Sequence, residues 1–246
     1  MTSKRTRGER AGLTREIVLD AALGLIDREG RAALTMRRLG AELGVEAMTL
    51  YHHVPNKDAL LDGLVERVFA EALPLPGGPG NAPGDAPGDA PGSALGEALG
   101  DGEVTDWRTF LRAYADSLRA ALLRHPGVLP LITGRPAVTP ATLDAVERGL
   151  RTLTSAGFAL GPAVDTLNAL SLFVVGHTAA EADARPSQHS AQTTPGTSAW
   201  LAELDCERYP LVVEAAGTGA GTDDAERFGF AVDAMLTGFG AAAGLA

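Results

Sequence analysis

The chain has 246 residues, 45% of them apolar and 5% aromatic, with a formal net charge of −10, enough for one large domain or two modest ones and for a sizeable core. A single cysteine, Cys206, excludes an internal disulfide framework, no apolar run of about 18 residues offers a membrane span, and the polar, basic amino end has no apolar signal segment, so a cytoplasmic protein is expected. Scarce aromatics with abundant Ala and Gly favour closely packed helices over a β-sandwich.

The charge is unevenly placed. From Met1 to Asp58, ten Lys and Arg oppose eight Asp and Glu, so the acidic excess lies in the remainder. Such a chain can present its amino end to a polyanion while its body repels it.

In chain order, residues 1–12 read as a flexible basic arm. Thr14 caps a first helix whose buried stripe is Ile17, Val18, Ala21, Ala22, Leu25 and Ile26, ended by Gly30. Thr35 caps a short second helix carrying Leu39 and Leu43. Gly44 interrupts, and a third helix runs from about Glu46 to His52. Pro55 and Asn56 precede a fourth helix with Leu60, Leu61, Leu64, Val65, Val68 and Phe69 on one side. Residues 74–104 carry a four-residue Ala-Pro-Gly-type repeat and read as a linker or loop.

Beyond it, Trp107 to Arg124 is a helix with Phe110, Leu111, Tyr114, Leu118 and Leu122 in register. A proline-punctuated stretch follows from His125 to Pro140, with a helical turn around Leu129–Thr133. Helices are expected at Thr142–Ala156, ended by Gly157, and from Pro162 to about Ala184. A loop over 186–198 and a short helix around Ser198–Glu207 come next. The last helix runs from about Asp223 to Ala243, with Phe228, Val232, Met235 and Phe239 in step. No alternating strand pattern competes. The fold class is therefore all-α. The chain-order reading places a smaller helical domain, with a helix-turn-helix, over 13–73 and a larger helical domain over 105–246.

The segment from Thr35 to Lys57 carries the chemistry. Gly44 permits the positive φ of a tight interhelical turn. Leu39, Leu43, Val45 and Leu50 pack the two helices steeply, freeing one face of the second for a major groove. Glu46, Ala47, Met48, Thr49, Tyr51 and His52 are the exposed candidates there. Thr49 can bond a base edge or phosphate, and Ala47 and Met48 can touch apolar groups in the groove. Tyr51 and His53 can donate to phosphate, and Lys57 adds charge at a helix start. Either Arg37 or Arg38 could reach a guanine through its bidentate fork.

These residues resemble the tetracycline-repressor (TetR) family of bacterial regulators. The resemblance is carried by Leu34-Thr35-Met36-Arg37-Arg38-Leu39, by Leu43-Gly44-Val45, and by the run from Thr49 through Tyr51, His53, Asn56 and Lys57 to Leu61. It continues weakly through Trp107–Leu123, Gly134-Arg135-Pro136, Gly157-Phe158 and Phe173–Glu181. It implies an all-α homodimer on a palindromic double-stranded operator, repression by default, and release by a small-molecule effector. It places Arg37, Ala47, Met48, Thr49, Tyr51, His52, His53 and Lys57 at or near DNA. His52 stands where many relatives have Trp, and Pro55 where Lys is common.

An effector pocket between helices should be apolar with few polar groups. Its candidates are Trp107, Leu111, Tyr114, Leu118, His125, Leu131, Arg135, Leu143, Asn168, Phe173 and His177. Asn168 and His177 are the sharper picks, because buried polar groups need partners. Relatives that sense a metal–tetracycline chelate carry a histidine just before the Arg-Pro turn. Here Leu131-Ile132-Thr133-Gly134 precedes Arg135, so a different effector is expected. His177 and Glu181 share a helix face but are two ligands only, so neither a metal nor a cofactor is expected. The helix from Pro162 and the last helix, with Ala231, Ala234, Gly238 and Gly240, are the expected dimer surface. No nucleophile elbow, phosphate loop or dinucleotide fingerprint is present, which speaks against an enzyme.

Overall fold

A computed structural model describes residues 12–72, 106–132, 140–184, 204–218 and 223–245. The arm up to residue 11, the segment at 74–104, the loop at 186–198 and Arg135 lie outside the described residues. Among the described residues there is no strand, and no helix is long and apolar enough to cross a membrane. By contact density the chain divides into residues 1–175 and 176–246.

In the first unit, α1 (Arg15–Glu29) starts where the Thr14 hydroxyl accepts the Ile17 N–H at 3.3 Å. Its buried residues are Val18, Leu19, Ala22, Leu23, Leu25 and Ile26, whereas Ile17 is exposed. The expected stripe is displaced: Ile17 and Ala21 stand outside the buried face, and Leu19 and Leu23 take their places. α1 packs against α2 (Met36–Glu42), α4 (Lys57–Ala72) and two 3-10 turns, Arg31–Ala33 and Pro126–Val128, which together set its buried face. Ion pairs fasten the same contacts at their rims: Arg15–Glu66 and Arg67–Asp20 to α4, Arg28–Glu42 and Arg38–Glu29 to α2. Being exposed, each contributes at most about 1 kcal/mol.

α4 lies along α5 (Trp107–Arg124). Asp106 caps α5 by accepting the Arg108 and Thr109 N–H groups and the Thr109 hydroxyl, the last at 2.6 Å. A 3-10 turn (Pro126–Val128) and a four-residue helix, α6 (Leu129–Ile132), follow. α7 (Pro140–Ser155) packs on α4 and α5. It ends where Gly157, at φ 105, lets the Phe158 N–H return to the Leu153 carbonyl at 3.1 Å. That turn sets Phe158 edge-on to Trp107, ring centroids 4.9 Å apart. α8 (Leu160–Ala184) begins in this unit and runs past its limit at Val175.

In the second unit, the expected helix around Ser198–Glu207 is not seen where it is described. Residues 204–209 form turns instead. The Asp205 carboxylate accepts the Glu207 N–H at 2.9 Å, competing with helix formation as short acidic side chains do. The helix comes later, as α9 (Pro210–Thr218), with proline at its first position where no N–H is required. α10 (Asp224–Ala242) buries Phe228, Val232, Leu236 and Gly240, while Met235 and Phe239 are half-buried.

Candidate DNA-reading motif and effector cavity

α2 and α3 (Ala47–Leu50) are joined by a turn at Gly44, whose φ is 67°. The Val45 N–H closes that turn on the Gly40 carbonyl at 2.9 Å. Gly40 itself sits under the turn, where a Cβ would stand 2.8 Å from the Val45 carbonyl oxygen and 3.2 Å from the Ala47 nitrogen. The two helices therefore cross closely because α2 has no side chain at that point. Sequence reasoning found Gly44 and missed Gly40, whose backbone angles are ordinary for a helix.

Leu39 and Leu50 are fully buried, whereas Leu43 and Val45 are half-buried. The regular helix of α3 ends at Leu50, shorter than expected. It tightens into turns in which the His52 N–H bonds the Thr49 carbonyl and the His53 N–H bonds that of Leu50. Glu46, Tyr51 and His52 are exposed, Met48 is 70% exposed, and Ala47, Thr49 and His53 are half-buried.

The structure separates the two arginines. Arg38 donates to Glu29 Oε1 at 2.6 Å. Arg37 is exposed and makes no hydrogen bond or ion pair among the described residues. Thr35 accepts the Arg38 N–H at 3.1 Å and so serves as a cap. Lys57 is exposed at the start of α4, which Asn56 caps by accepting the Ala59 N–H at 2.7 Å.

Between α4, α5, α7 and the first half of α8 lies a cavity of about 240 Å³. Phe69, Phe110, Val146, Leu150 and Leu167 supply apolar walls, and Tyr114, Thr142, Asn168 and Ser171 the polar spots. Of the expected effector residues, Tyr114 and Asn168 are brought together here. Trp107, Leu111, Leu118 and Leu131 are buried elsewhere in the core. Phe173 is half-buried and does not line the cavity. His177 belongs to the second unit, its Nε2 lying 3.2 Å from the Asp224 carbonyl and its ring against Phe228. His125 faces α1 and α4 instead. The missed wall residue Phe69 sits at the edge of an apolar helix face, which periodicity cannot tell from core.

The cavity's hydrogen bonds have a direction. The Ser171 hydroxyl donates to the Leu167 carbonyl at 2.8 Å. Its single proton is thereby used, so the Tyr114 hydroxyl, 2.8 Å away, donates to Ser171. Burial pushes the Tyr114 phenol above its ordinary value of 10.0, and the Ser171 contact only partly offsets this. Tyr114 is thus a neutral phenol whose oxygen has only acceptor capacity left. The Asn168 amide makes no hydrogen bond among the described residues.

Residues 18–64 match the pattern described as bacterial regulatory proteins of the tetR family, and residues 99–242 match the tetracyclin repressor-like C-terminal domain. The class D tetracycline repressor protein of Escherichia coli is 33% identical over 234 residues, covering 93% of this chain and 90% of that protein. The chain is a TetR-family regulator. Another relative, the transcriptional repressor DrrR1 of Streptomyces coeruleorubidus, is 30% identical over 241 residues, covering 95% of this chain and 79% of its own. Among solved structures, ActR of Streptomyces coelicolor in complex with actinorhodin superposes with a TM-score of 0.72 at 27% identity, covering 95% of this chain and 98% of ActR. TetR from Acinetobacter baumannii superposes with a TM-score of 0.62 at 27% identity, covering 92% and 96%.

As a TetR-family regulator the protein binds operator DNA through its helix-turn-helix, acts as a dimer and responds to a small effector. Its relatives are transcriptional regulators.

Proposed function

We propose that residues 13–73 form the operator-reading domain and 105–246 the effector-binding and dimerisation domain of a cytoplasmic repressor without enzymatic activity. Arg37, Met48, Thr49, Tyr51, His52, His53 and Lys57 are its DNA contacts. The observation that carries this is the close crossing over Gly40, which leaves those side chains outward while Arg38 is held by Glu29. Arg37 then reads a base edge. Tyr51, His53 and Lys57 hold phosphates. The test is a salt-dependent gel shift on the DNA upstream of the protein's own gene. Sequence-independent binding, unchanged by Tyr51→Ala or Lys57→Ala, would sink this assignment.

The cavity takes an uncharged, largely apolar molecule carrying a hydroxyl or N–H donor. Apolar walls dominate, and none of the eleven described lining residues is His, Cys, Asp, Glu, Lys or Arg. That favours a molecule recognised without a metal chelate, in line with the absence of a histidine among Leu131–Gly134. Tyr114 accepts the donor and Asn168 supplies a further amide contact. Tyr114→Phe is expected to weaken binding of 1-naphthol about tenfold, the value of roughly one hydrogen bond, and to leave 1-methoxynaphthalene unaffected. Operator release by tetracycline that requires added Mg²⁺ would overturn the metal-free reading.

A further inference from the structure

His125, the C-cap of α5, turns its ring toward α1 and α4. Nδ1 lies 2.7 Å from Asp27 Oδ2 on α1, and Nε2 lies 3.2 Å from Glu71 Oε2 on α4. The neighbouring Arg124 contacts the same Glu71 oxygen at 2.5 Å. The ring is 15% exposed and the two carboxylates 23% and 24%, so the junction is partly shielded from water.

Donor counting constrains this cluster. An ionised carboxylate only accepts, and a neutral imidazole has one N–H. A neutral ring can satisfy one carboxylate and must turn a lone pair on the other. The imidazolium, with two N–H groups, satisfies both. The protonated cluster holds two cations and two anions, and loss of the proton leaves a net negative charge at a partly buried junction.

The groups facing the ring are Asp27 from α1, Glu71 from α4 and Arg124 from α5 itself. The turn Pro126–Val128 and helix Leu129–Ile132, packed at the same place, bring no titratable side chain. The nearby Arg28 and Arg67 are committed to Glu42 and Asp20. The turn is seated hard on α1, where a Cβ on Gly127 would lie 2.4 Å from Ile26 Cγ2. Both α4 and α5 also wall the cavity, through Phe69, Phe110 and Tyr114.

We propose that His125 is a proton-operated clamp. Its imidazolium ties α1 and α4 to the end of α5, and loss of the proton frees one of the two helices. Operator affinity thereby acquires a dependence on pH, separate from the effector. The clamp stands on its own geometry, and its consequence at DNA rests on the function proposed above.

Hydrogen exchange of the full-length protein at about pH 6 and pH 8, corrected for intrinsic rates, tests it. In the wild type, amides in the last turn of α1 or of α4 are expected to exchange about tenfold faster at the higher pH, beyond the intrinsic correction. His125→Gln, which cannot titrate, should show no such step. Asp27→Asn should shrink it, because an amide can donate to a neutral ring, and this variant serves if His125→Gln does not fold. A wild type without the step, or a step retained undiminished in the variants, overturns the clamp. The operator affinity of the wild type should change with pH more than that of His125→Gln. Equal pH profiles would overturn the link to DNA. Absence of specific binding at either pH strikes the proposed reading domain and leaves the exchange result standing.

Discussion

At the residue scale, two neighbouring arginines with the same sequence credentials have different situations. Arg38 is held by Glu29, and Arg37 projects from α2 with its fork uncommitted. Arg37→Ala is expected to cost about 1–3 kcal/mol of operator binding and to relax specificity at one base pair. Arg38→Ala should change stability by at most about 1 kcal/mol, the value of an exposed pair. Binding to an operator and to single-base variants of it separates the two. Equal losses would mean that the ion pair opens on DNA. Gly40→Ala is the sharpest test of the crossing itself. The new methyl would meet backbone atoms, which cannot rotate away as a side-chain tip can. It should destabilise the protein by about 1–3 kcal/mol, read by thermal unfolding, with operator binding falling in parallel.

At the element scale, helix starts are set by side chains of the expected kind. Thr14, Thr35, Asp106 and Asp223 each accept an N–H of the first turn. Asp106 also begins the helix that walls the cavity. Its bonds to the Thr109 hydroxyl first, and to the Arg108 and Thr109 N–H groups, hold its carboxyl below the ordinary value of 3.8 despite some desolvation. A lowered native value means that the ionised cap stabilises the fold. That contribution is complete above the ordinary value and is lost as the pH falls below it through the native one. Asp106→Ala should therefore cost about 1 kcal/mol at neutral pH, and the difference from wild type should vanish in acid. Thermal melts at both pH values check this, and a difference that persisted in acid would assign the cost to packing. The missed helix α9 belongs to the same scale. The sequence reading expected no helix at 210–218, whereas Pro210 opens one after the Asp205 turn.

At the scale of the whole molecule, α10 carries an outward face of Phe230, Ala234, Thr237 and Ala241, with Phe230 77% exposed. A bulky apolar side chain among small ones suits close packing of a second helix, as a dimer requires. Phe230→Glu is expected to shift the protein toward monomer by light scattering at micromolar concentration. Because the paired reading heads meet successive major grooves about 34 Å apart, it should also weaken operator binding far more than it lowers the melting temperature. Retention of a full-strength dimer would place the contact elsewhere.

The all-α class, most helix positions and the reading motif were legible in the sequence, because apolar periodicity, Thr and Asp caps and glycine stops are local signals. Leu39, Leu50, Gly44 and the exposed residues around Tyr51 needed no tertiary information. The cavity did not follow from the sequence in the same way. Asn168 stood out as a polar group on an apolar helix and Tyr114 was among the candidates, but Phe69, Leu150 and Leu167 look like any core residue until four helices are assembled. His125 shows the limit most clearly. Sequence reading put it beside the effector, yet its ring meets Asp27 and Glu71, residues about a hundred and about fifty positions earlier. One sequence position determines a side chain's chemistry. Which charges surround it is decided only when α1, α4 and α5 pack together.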